Sequence, residues 1–496
     1  MKCQKCGKNN ANTHIKTIIN GDYKEYDLCP ECAKEMGYTT NSFFSDFGSE
    51  FNSLLGSFFG NTLPSRSQST HCKTCGSTYY DIADSGMVGC ADCYDTFFDM
   101  LLPSIRRIHG NTTHCGKKSV AGIEYTETPD NVEEKPQPKD KLSDLKARLD
   151  EAVKVQNFEE AAKLRDEIKA MEDNNGIRLA RNLKDYPFPC RLSDKGKAEV
   201  DEKVRKALIN GNSAIAKDFQ YIDFDNMSET MKVSLVEKHL VSPEFISNTS
   251  GRAVLLLNNG TVSIMLNEED HIRLQVIENG FCLDEAYDLA DKLDTLLDEQ
   301  LNFAFNEKLG YLTQCPTNLG TGMRASVMLH LPALKKSGAM NMLANNLNKL
   351  GLTIRGAHGE GSSSEGAIYQ LSNQVSLGIS EKSAIENLKN ITNQLISQEL
   401  KQRETLVKSI ETKDKVMRSL GILKTACIMS HKEAVNLLSN VRFGISIGLI
   451  DNINIETIND LLIEIQPATL MTILGEQITV KDRDISRAEY IRNKLN

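Results

Sequence analysis

The sequence predicts a multidomain α+β protein, and three observations carry that prediction. Four C-x-x-C pairs crowd the chain before residue 94, alternating apolar segments with an Asn-Gly turn mark strands in its middle, and nearly everything after Glu381 has helical period. At about 100–200 residues per domain, a chain of 496 residues holds roughly three domains, each long enough to bury a core. Hydrophobic residues make up 40% and charged residues 25%, with no Trp, a globular balance that excludes collagenous and wholly disordered chains. No apolar run approaches the ~18 residues of a membrane helix, and Met1-Lys2-Cys3-Gln4 leads into polar residues instead of a signal-peptide core. A cytoplasmic location without membrane contact is therefore expected. The net charge of −9 argues against broad coating of nucleic acid, and no direct nucleic-acid partner is expected.

In chain order, residues 1–40 form a first cysteine module, 41–70 a polar, Phe-bearing insert and 71–115 a second cysteine module. Residues 116–140, rich in Thr, Pro, Glu and Lys, predict a flexible linker. Residues 141–173 predict a helical hairpin, with Leu142, Leu145 and Leu149 on one stripe and Phe158, Ala161, Ala162, Leu164 and Ile168 on another. So short a hairpin needs a partner surface. Mixed signals over 176–380 predict strands at Ala253–Leu257, Thr261–Leu266, Ala325–Leu331, Leu352–Arg355 and Ala367–Leu371, with Asn258-Asn259-Gly260 as a tight turn. Between them, Ala286, Leu289, Leu293, Leu296, Leu297, Leu301 and Ala304 share one face of an amphipathic helix. Residues 381–496 form a fourth, mostly helical region opened by Ile385, Leu388, Ile391 and Leu395.

Thirteen cysteines spread through a short secreted chain would suggest disulfides, but eight of these fall in pairs with metal-ligand spacing. Cys3/Cys6 with Cys29/Cys32, and Cys72/Cys75 with Cys90/Cys93, supply two sets of four thiolates. A two-residue spacer lets both sulfurs of a pair reach one ion at about 2.3 Å, so two structural zinc ions are expected. Redox dithiols are the competing reading, and a crossed arrangement of pairs would use the same eight ligands. His71, His109 and His114 read as surface or supporting residues, and Cys115, Cys190, Cys282 and Cys427 as ordinary thiols.

From Met1 to about Glu172 the chain resembles the McsA family, zinc-binding activators of bacterial protein-arginine kinases. The resemblance rests on both cysteine modules, on Arg107-Ile108-His109-Gly110-Asn111-Thr112-Thr113-His114, and on Phe158-Glu159-Glu160-Ala161-Ala162-Lys163-Leu164-Arg165-Asp166-Glu167-Ile168. The last stretch resembles a UVR hairpin, which implies docking onto partner proteins.

Four further segments suit phosphoryl transfer to a guanidinium. Asn267-Glu268-Glu269-Asp270-His271-Ile272-Arg273 sets carboxylates and an arginine at the end of a strand. Thr313-Gln314-Cys315-Pro316-Thr317-Asn318-Leu319-Gly320-Thr321-Gly322-Met323-Arg324 is small and glycine-rich, Arg355-Gly356-Ala357-His358-Gly359-Glu360-Gly361 is a glycine loop, and Arg178-Leu179-Ala180-Arg181-Asn182 adds cations. Fixed arginines offer planar donors to transferring phosphate oxygens, while carboxylates hold and deprotonate a guanidinium.

These segments resemble the phosphagen (guanidino) kinase superfamily over about Gly176 to Asn496, and within it the McsB protein-arginine kinases. The resemblance implies an antiparallel sheet flanked by helices. It also implies Glu269 as the catalytic base, Glu360 as the second carboxylate on the guanidinium, and Arg178, Arg273, Arg324 and Arg355 on ATP phosphates. Cys315 matches the active-site thiol, where neighbouring dipoles are expected to favour a thiolate. Mg2+ is expected to arrive with the nucleotide. In the tail, Arg483-Asp484-Ile485-Ser486-Arg487-Ala488 resembles a phosphoarginine-sensing and dimerisation motif, with Asp484 facing a guanidinium and Arg483 and Arg487 its phosphate; the competing reading is a helix with internal ion pairs. The implied activity is ATP-dependent phosphorylation of exposed arginines in proteins. The implied partners are a Clp ATPase/protease, a heat-shock repressor and a second copy of the chain. One departure stands out: Gly176 occupies the first phosphate-binding arginine position of the family pattern. It motivates the alternative of a catalytically weak adaptor that binds a kinase, a protease or phosphoarginine proteins.

Overall fold

A computed structural model describes residues 70–119, 172–209, 217–257, 260–356 and 364–496, together with strands β1 (Thr13–Ile19) and β2 (Asp22–Leu28). Cys3, Cys6, Cys29 and Cys32, most of the 41–70 insert and of the linker, residues 141–171 of the hairpin, the Asn258-Asn259 turn and Glu360 lie outside the described residues. Residues 1–65 with 83–86 form one compact unit and 66–82 with 87–496 another. In the first, β1 and β2 pair antiparallel, Thr13 opposite Leu28.

The second unit is organised by an eight-stranded sheet. Its strands are β3 (Glu172–Arg181), β4 (Phe219–Asp223), β5 (Ala253–Leu257), β6 (Val262–Leu266), β7 (Ile272–Glu278), β10 (Met323–His330), β11 (Leu352–Gly356) and β12 (Ile368–Asn373). Their order is β11-β12-β10-β3-β7-β6-β5-β4, and every neighbouring pair is antiparallel. Strands β8 (Phe305–Asn306) and β9 (Gly310–Tyr311) form a separate small ladder.

Side chains alternate across a strand, so the sheet has two chemically different faces. One carries Ile177, Leu179, Leu274, Val276, Ala325, Val327, Ile354 and Leu371, all buried in the main core. Apolar stripes of α3 (Asp194–Ile209), α6 (Leu283–Asp298), α8 (Met340–Lys349) and α9 (Glu381–Val407) cover it. The other face is polar around Arg178, Arg324 and Arg355, apolar at Met328 and Ile368, which pack on the core of the helical tail, and apolar where α4 (Glu229–Glu237) and α5 (Pro243–Ser247) roof it. There Val241 and Phe245 pack on Val254, Leu256 and Met265.

The five strands expected after Gly176 are present, with ends moved by up to a few residues. Strand β3 starts at Glu172, inside the range expected for the hairpin. The amphipathic helix ends at Asp298, and Leu301 and Ala304 are buried in the coil beyond it. The tail is helical as expected: after α9 come α10 (Ile410–Thr425), α11 (His431–Ser446), α12 (Ile455–Glu464), α13 (Pro467–Leu474) and α14 (Val480–Leu495). Ser380, Ser409, Ser430, Asn454 and Thr479 cap α9, α10, α11, α12 and α14 with side-chain acceptors, which is why these helices begin where they do. Two carboxylates join this region to the sheet region. Glu399 accepts from the amides of Ala333 and Leu334 at 3.0 and 2.8 Å, capping α7 (Pro332–Lys336), and Glu237 accepts from those of Ala468 and Thr469 at 2.9 and 2.6 Å, capping α13.

The beginning of the expected linker is not loose. The Lys117 ammonium meets Asp291 at 2.8 Å and Asp294 at 3.0 Å, and the Ser119 hydroxyl donates to Asp298 at 2.6 Å. Composition reads the polarity of 116–119 but not the acidic row on α6 that receives it. Among the described residues no helix is long and apolar enough to cross a membrane.

Candidate active site

Register places the four arginines. Arg178 on β3 lies opposite Arg324 on β10 and Gln275 on β7, Arg273 lies opposite Ala180, and Arg355 lies opposite Gln370. Directly opposed residues in antiparallel strands share a face, so all four cations stand on the polar side, together with Ser326, Ser372 and the backbone of Gly176. Arg324 donates to the Ser372 hydroxyl at 2.9 Å, and Arg273 pairs with Glu268. Burial, then the charges of Arg273 and Arg324, pulls Arg178 well below the usual guanidinium range. Burial, then Arg355, pulls Arg324 down to about 10. A half-buried cluster of cations with one paired carboxylate is a place where a polyanion relieves repulsion.

The carboxylates stand in the turn from β6 to β7. Asn267 adopts φ 58° and its amide donates to the carbonyls of Lys197 and Gly251 at 3.1 and 3.0 Å, pinning the start of the turn. Burial pushes Glu268 up, but Arg273 and the Ser242 hydroxyl at 2.6 Å outweigh it and leave it below its ordinary value. Glu269 accepts from the Asn318 amide at 2.7 Å, yet burial and then the Asp270 charge push it up to about 8. Asp270 is buried and accepts from Asn182 Nδ2 at 2.5 Å and from the Gln314 amide at 2.8 Å; burial still raises it to about 6. His271 Nδ1 accepts from the Leu183 amide at 3.0 Å, so its Nε2–H donates to the Pro187 carbonyl at 2.9 Å. Burial lowers this ring to about 4, which keeps it neutral.

The 313–318 loop lies against this acid cluster. Cys315 Sγ and Thr317 Oγ1 are 3.0 Å apart. Contrary to the expected thiolate, burial and then the Glu269 carboxylate push the Cys315 thiol up to about 12, outweighing the Thr317 bonds. Gly320 and Gly322, at φ 104° and 61°, serve close packing. A Cβ at Gly320 would fall 2.4 Å from the Ser376 carbonyl oxygen, and one at Gly322 2.7 Å from that of Ala180.

The second cysteine module packs on the same loop. The sulfurs of Cys72, Cys75, Cys90 and Cys93 all lie within 4.8 Å of one another, with 3.5 Å between Cys72 and Cys90 and 3.2 Å between Cys75 and Cys93. A tetrahedron with Zn–S of about 2.3 Å has sulfurs roughly 3.7 Å apart, so the set fits a closed zinc site that stabilises the module without catalysing. The fold therefore pairs Cys72/Cys75 with Cys90/Cys93 and removes the crossed alternative for this module. After α1 (Ala91–Thr96), helix α2 (Phe98–His109) ends on Gly110 in the left-handed region. The Tyr94 hydroxyl donates to the Thr313 carbonyl, the Val88 amide to that of Gln314 and His109 Nε2 to that of Pro316, each at 2.8 Å. His109, expected near the metal or the surface, is instead buried against the loop; His71 is exposed, and His114 Nε2 donates to the Lys117 carbonyl at 2.9 Å. Elemental analysis should return about one zinc per chain from this site, lost in Cys90→Ser. Full zinc retention in that variant would exclude the four-sulfur site.

In the tail, Arg487 is fully buried on α14. Its Nε donates to the Ile465 carbonyl and its Nη1 to that of Met429, both at 3.0 Å, and Nη1 also pairs with Asp484. The i,i+3 ion pair is thus present, so Asp484 already faces a guanidinium of its own helix. Among the described residues Arg487 Nη2 and Arg483 Nε are buried without a hydrogen-bond partner.

Comparison with known proteins agrees with these parts. Residues 199–402 match the ATP:guanido phosphotransferase C-terminal catalytic domain and 409–496 the protein-arginine kinase McsB C-terminal domain. Residues 70–116 match the McsA central zinc-finger domain and 139–174 the UvrB/uvrC motif. A protein-arginine kinase of Clostridium acetobutylicum is 46% identical over 321 residues, which are 64% of this chain and 94% of that protein. The chain belongs to the protein-arginine kinase family. A family member from Halothermothrix orenii is 47% identical over 322 residues, 64% of this chain and 91% of that protein. The fold is shared with the substrate-free duplicated taurocyamine kinase of Schistosoma mansoni, at TM-score 0.53 and 23% identity over 77% of this chain and 54% of that one.

Glu269, Cys315 and the four arginines expected to act together thus meet on one side of the sheet, while Arg483, Asp484 and Arg487 lie on α14 in the helical tail. Sequence reasoning missed Asn318, Asp270, Asn182 and Gln314 as supports. All four lie inside the motifs already singled out. Tyr94 had no signal beyond its place beside Cys93.

Proposed function

We propose that the protein is a protein-arginine kinase, transferring the γ-phosphoryl group of ATP to arginine side chains of proteins, with its zinc and UVR regions acting as an activator in the same chain. The observation that carries this reading is the four-arginine face beside Glu269. Arg178, Arg273, Arg324 and Arg355 would hold the phosphates, with Mg2+ arriving on nucleotide oxygens and water. Glu269, oriented by Asn318, would take a guanidinium proton as nitrogen attacks phosphorus, and Glu360 would grip the other side of the acceptor. With its pKa near 12, Cys315 acts as a neutral hydrogen-bonding thiol. The orphaned donors of Arg483 and Arg487 support recognition of phosphoarginine in the tail, with Asp484 orienting Arg487. A cytoplasmic homodimer that marks a heat-shock repressor and damaged proteins for Clp proteolysis completes the reading.

Gly176 favours a second reading, a weak kinase acting chiefly as an adaptor, because it leaves the phosphate face one cation short. Incubation with labelled ATP and an unfolded Arg-rich protein separates the two. Acid-labile label is the expected product, since phosphoarginine hydrolyses in acid; acid-stable label removes the arginine-kinase reading. Intact ATP binding without label favours the adaptor.

A further inference from the structure

We propose that Gln314 is a positioning residue through which the zinc module holds the 313–318 loop, and with it Asp270, against the base Glu269. The residue is buried and all four of its polar groups are committed. Its carbonyl accepts from the Val88 amide at 2.8 Å and its Nε2 donates to the Met87 sulfur at 3.4 Å, both in the segment that precedes Cys90. Its Oε1 accepts from the Cys190 amide at 2.7 Å, in a turn itself held to the module by the Phe188 amide on the Gly89 carbonyl at 2.8 Å. Only its own amide points the other way, to Asp270 Oδ1. The backbone carbonyl and Nε2 therefore face the module, Oε1 faces the turn held to it, and the backbone N–H faces the acid cluster, so a displaced module withdraws that N–H.

Asp270 Oδ1 has two protein donors, this amide and Asn182 Nδ2. A buried carboxylate that loses one of them takes up a proton more readily. Once neutral, it no longer holds the proton affinity of Glu269 up. The other charged or titratable groups acting on Glu269 are Glu268, Glu244, Arg273, Arg324 and Cys315, and those acting on Asp270 include Glu268, Arg273, Tyr94 and Cys190. The module also meets the loop through the Tyr94 hydroxyl on the Thr313 carbonyl and His109 on the Pro316 carbonyl, but among the described residues Gln314 alone joins the 87–88 segment to a hydrogen bond on Asp270.

This inference rests on Glu269 being the base, and the experiment separates the two. In the full chain, Gln314→Ala should move the acidic limb of kcat/KM toward lower pH by about half a unit and lower kcat. Tyr94→Phe, which deletes only the hydroxyl on the Thr313 carbonyl, should shift the limb in the same direction by less, and it decides the matter if Gln314→Ala does not fold. Limbs unmoved in whichever of these variants folds, while Glu269→Gln abolishes the limb, overturn the role of Gln314 alone. A limb that persists in Glu269→Gln overturns both readings.

Discussion

Glu269→Gln should lower kcat/KM for a protein substrate by about 10³-fold, within the span a positioned general base contributes. The substitution keeps an oxygen for the Asn318 amide at the same place, so it removes the proton acceptor without unmaking the loop. In the wild type, burial and the Asp270 charge raise this carboxyl to about 8. The deprotonated form needed for catalysis therefore grows as pH rises, and kcat/KM should climb toward a plateau just above that pH. The stability effect has the opposite sign. A carboxyl whose folded pKa lies above its unfolded one binds its proton more tightly when native, so stability is lost as pH rises from the usual carboxylate range through 8. Glu269→Gln escapes that loss, so at pH near 8 the variant should be both nearly inactive and higher in Tm than the wild type. Wild-type rates, or equal Tm at both ends of the pH range, would remove Glu269 from its assigned role.

Gly176→Arg should raise kcat/KM for ATP by roughly ten- to a hundredfold, the equivalent of one charge-assisted hydrogen bond. Strand alternation puts position 176 on the face of Arg178, two residues along β3, opposite Ser326 and Ile277. The site has room: a Cβ there would meet Ser326 Oγ at 3.4 Å and the Val276 carbonyl oxygen at 3.5 Å, ordinary contacts. A fifth cation beside Arg178, already pulled down by Arg273 and Arg324, adds repulsion when no anion is bound. Nucleotide affinity and its salt sensitivity should therefore rise while the nucleotide-free protein gains little stability from its better strand former. Unchanged ATP affinity and turnover would mean that position 176 does not reach the phosphates.

Local chemistry was readable before any fold was known. The C-x-x-C spacing announces paired thiolates because two residues of backbone bring both sulfurs to one ion. Strands β5 and β6 follow from two short apolar segments on either side of an Asn-Gly turn, and Gly260 has a φ of 75° that a glycine adopts without strain. The acidic turn and the glycine-rich loop were marked as chemistry by composition. Their support was not marked: Asp270, Asn182 and Gln314 matter because three separate segments converge, and no period or spacing encodes that convergence.

Cys315 shows where reading residue types fails. Its neighbours promise a thiolate, but the sign of its shift depends on how much water the fold removes and on a carboxylate 46 positions earlier in the chain. His109 likewise follows the metal cysteines closely in sequence, yet it is spent on the Pro316 carbonyl. The sequence by itself determined the class of chemistry, since ligand spacing, strand alternation and helix period act within a few residues of each other. Only the tertiary structure decided which charges are buried, which loops meet and which protons are held, because desolvation and Coulomb energies depend on distances through space between segments far apart along the chain.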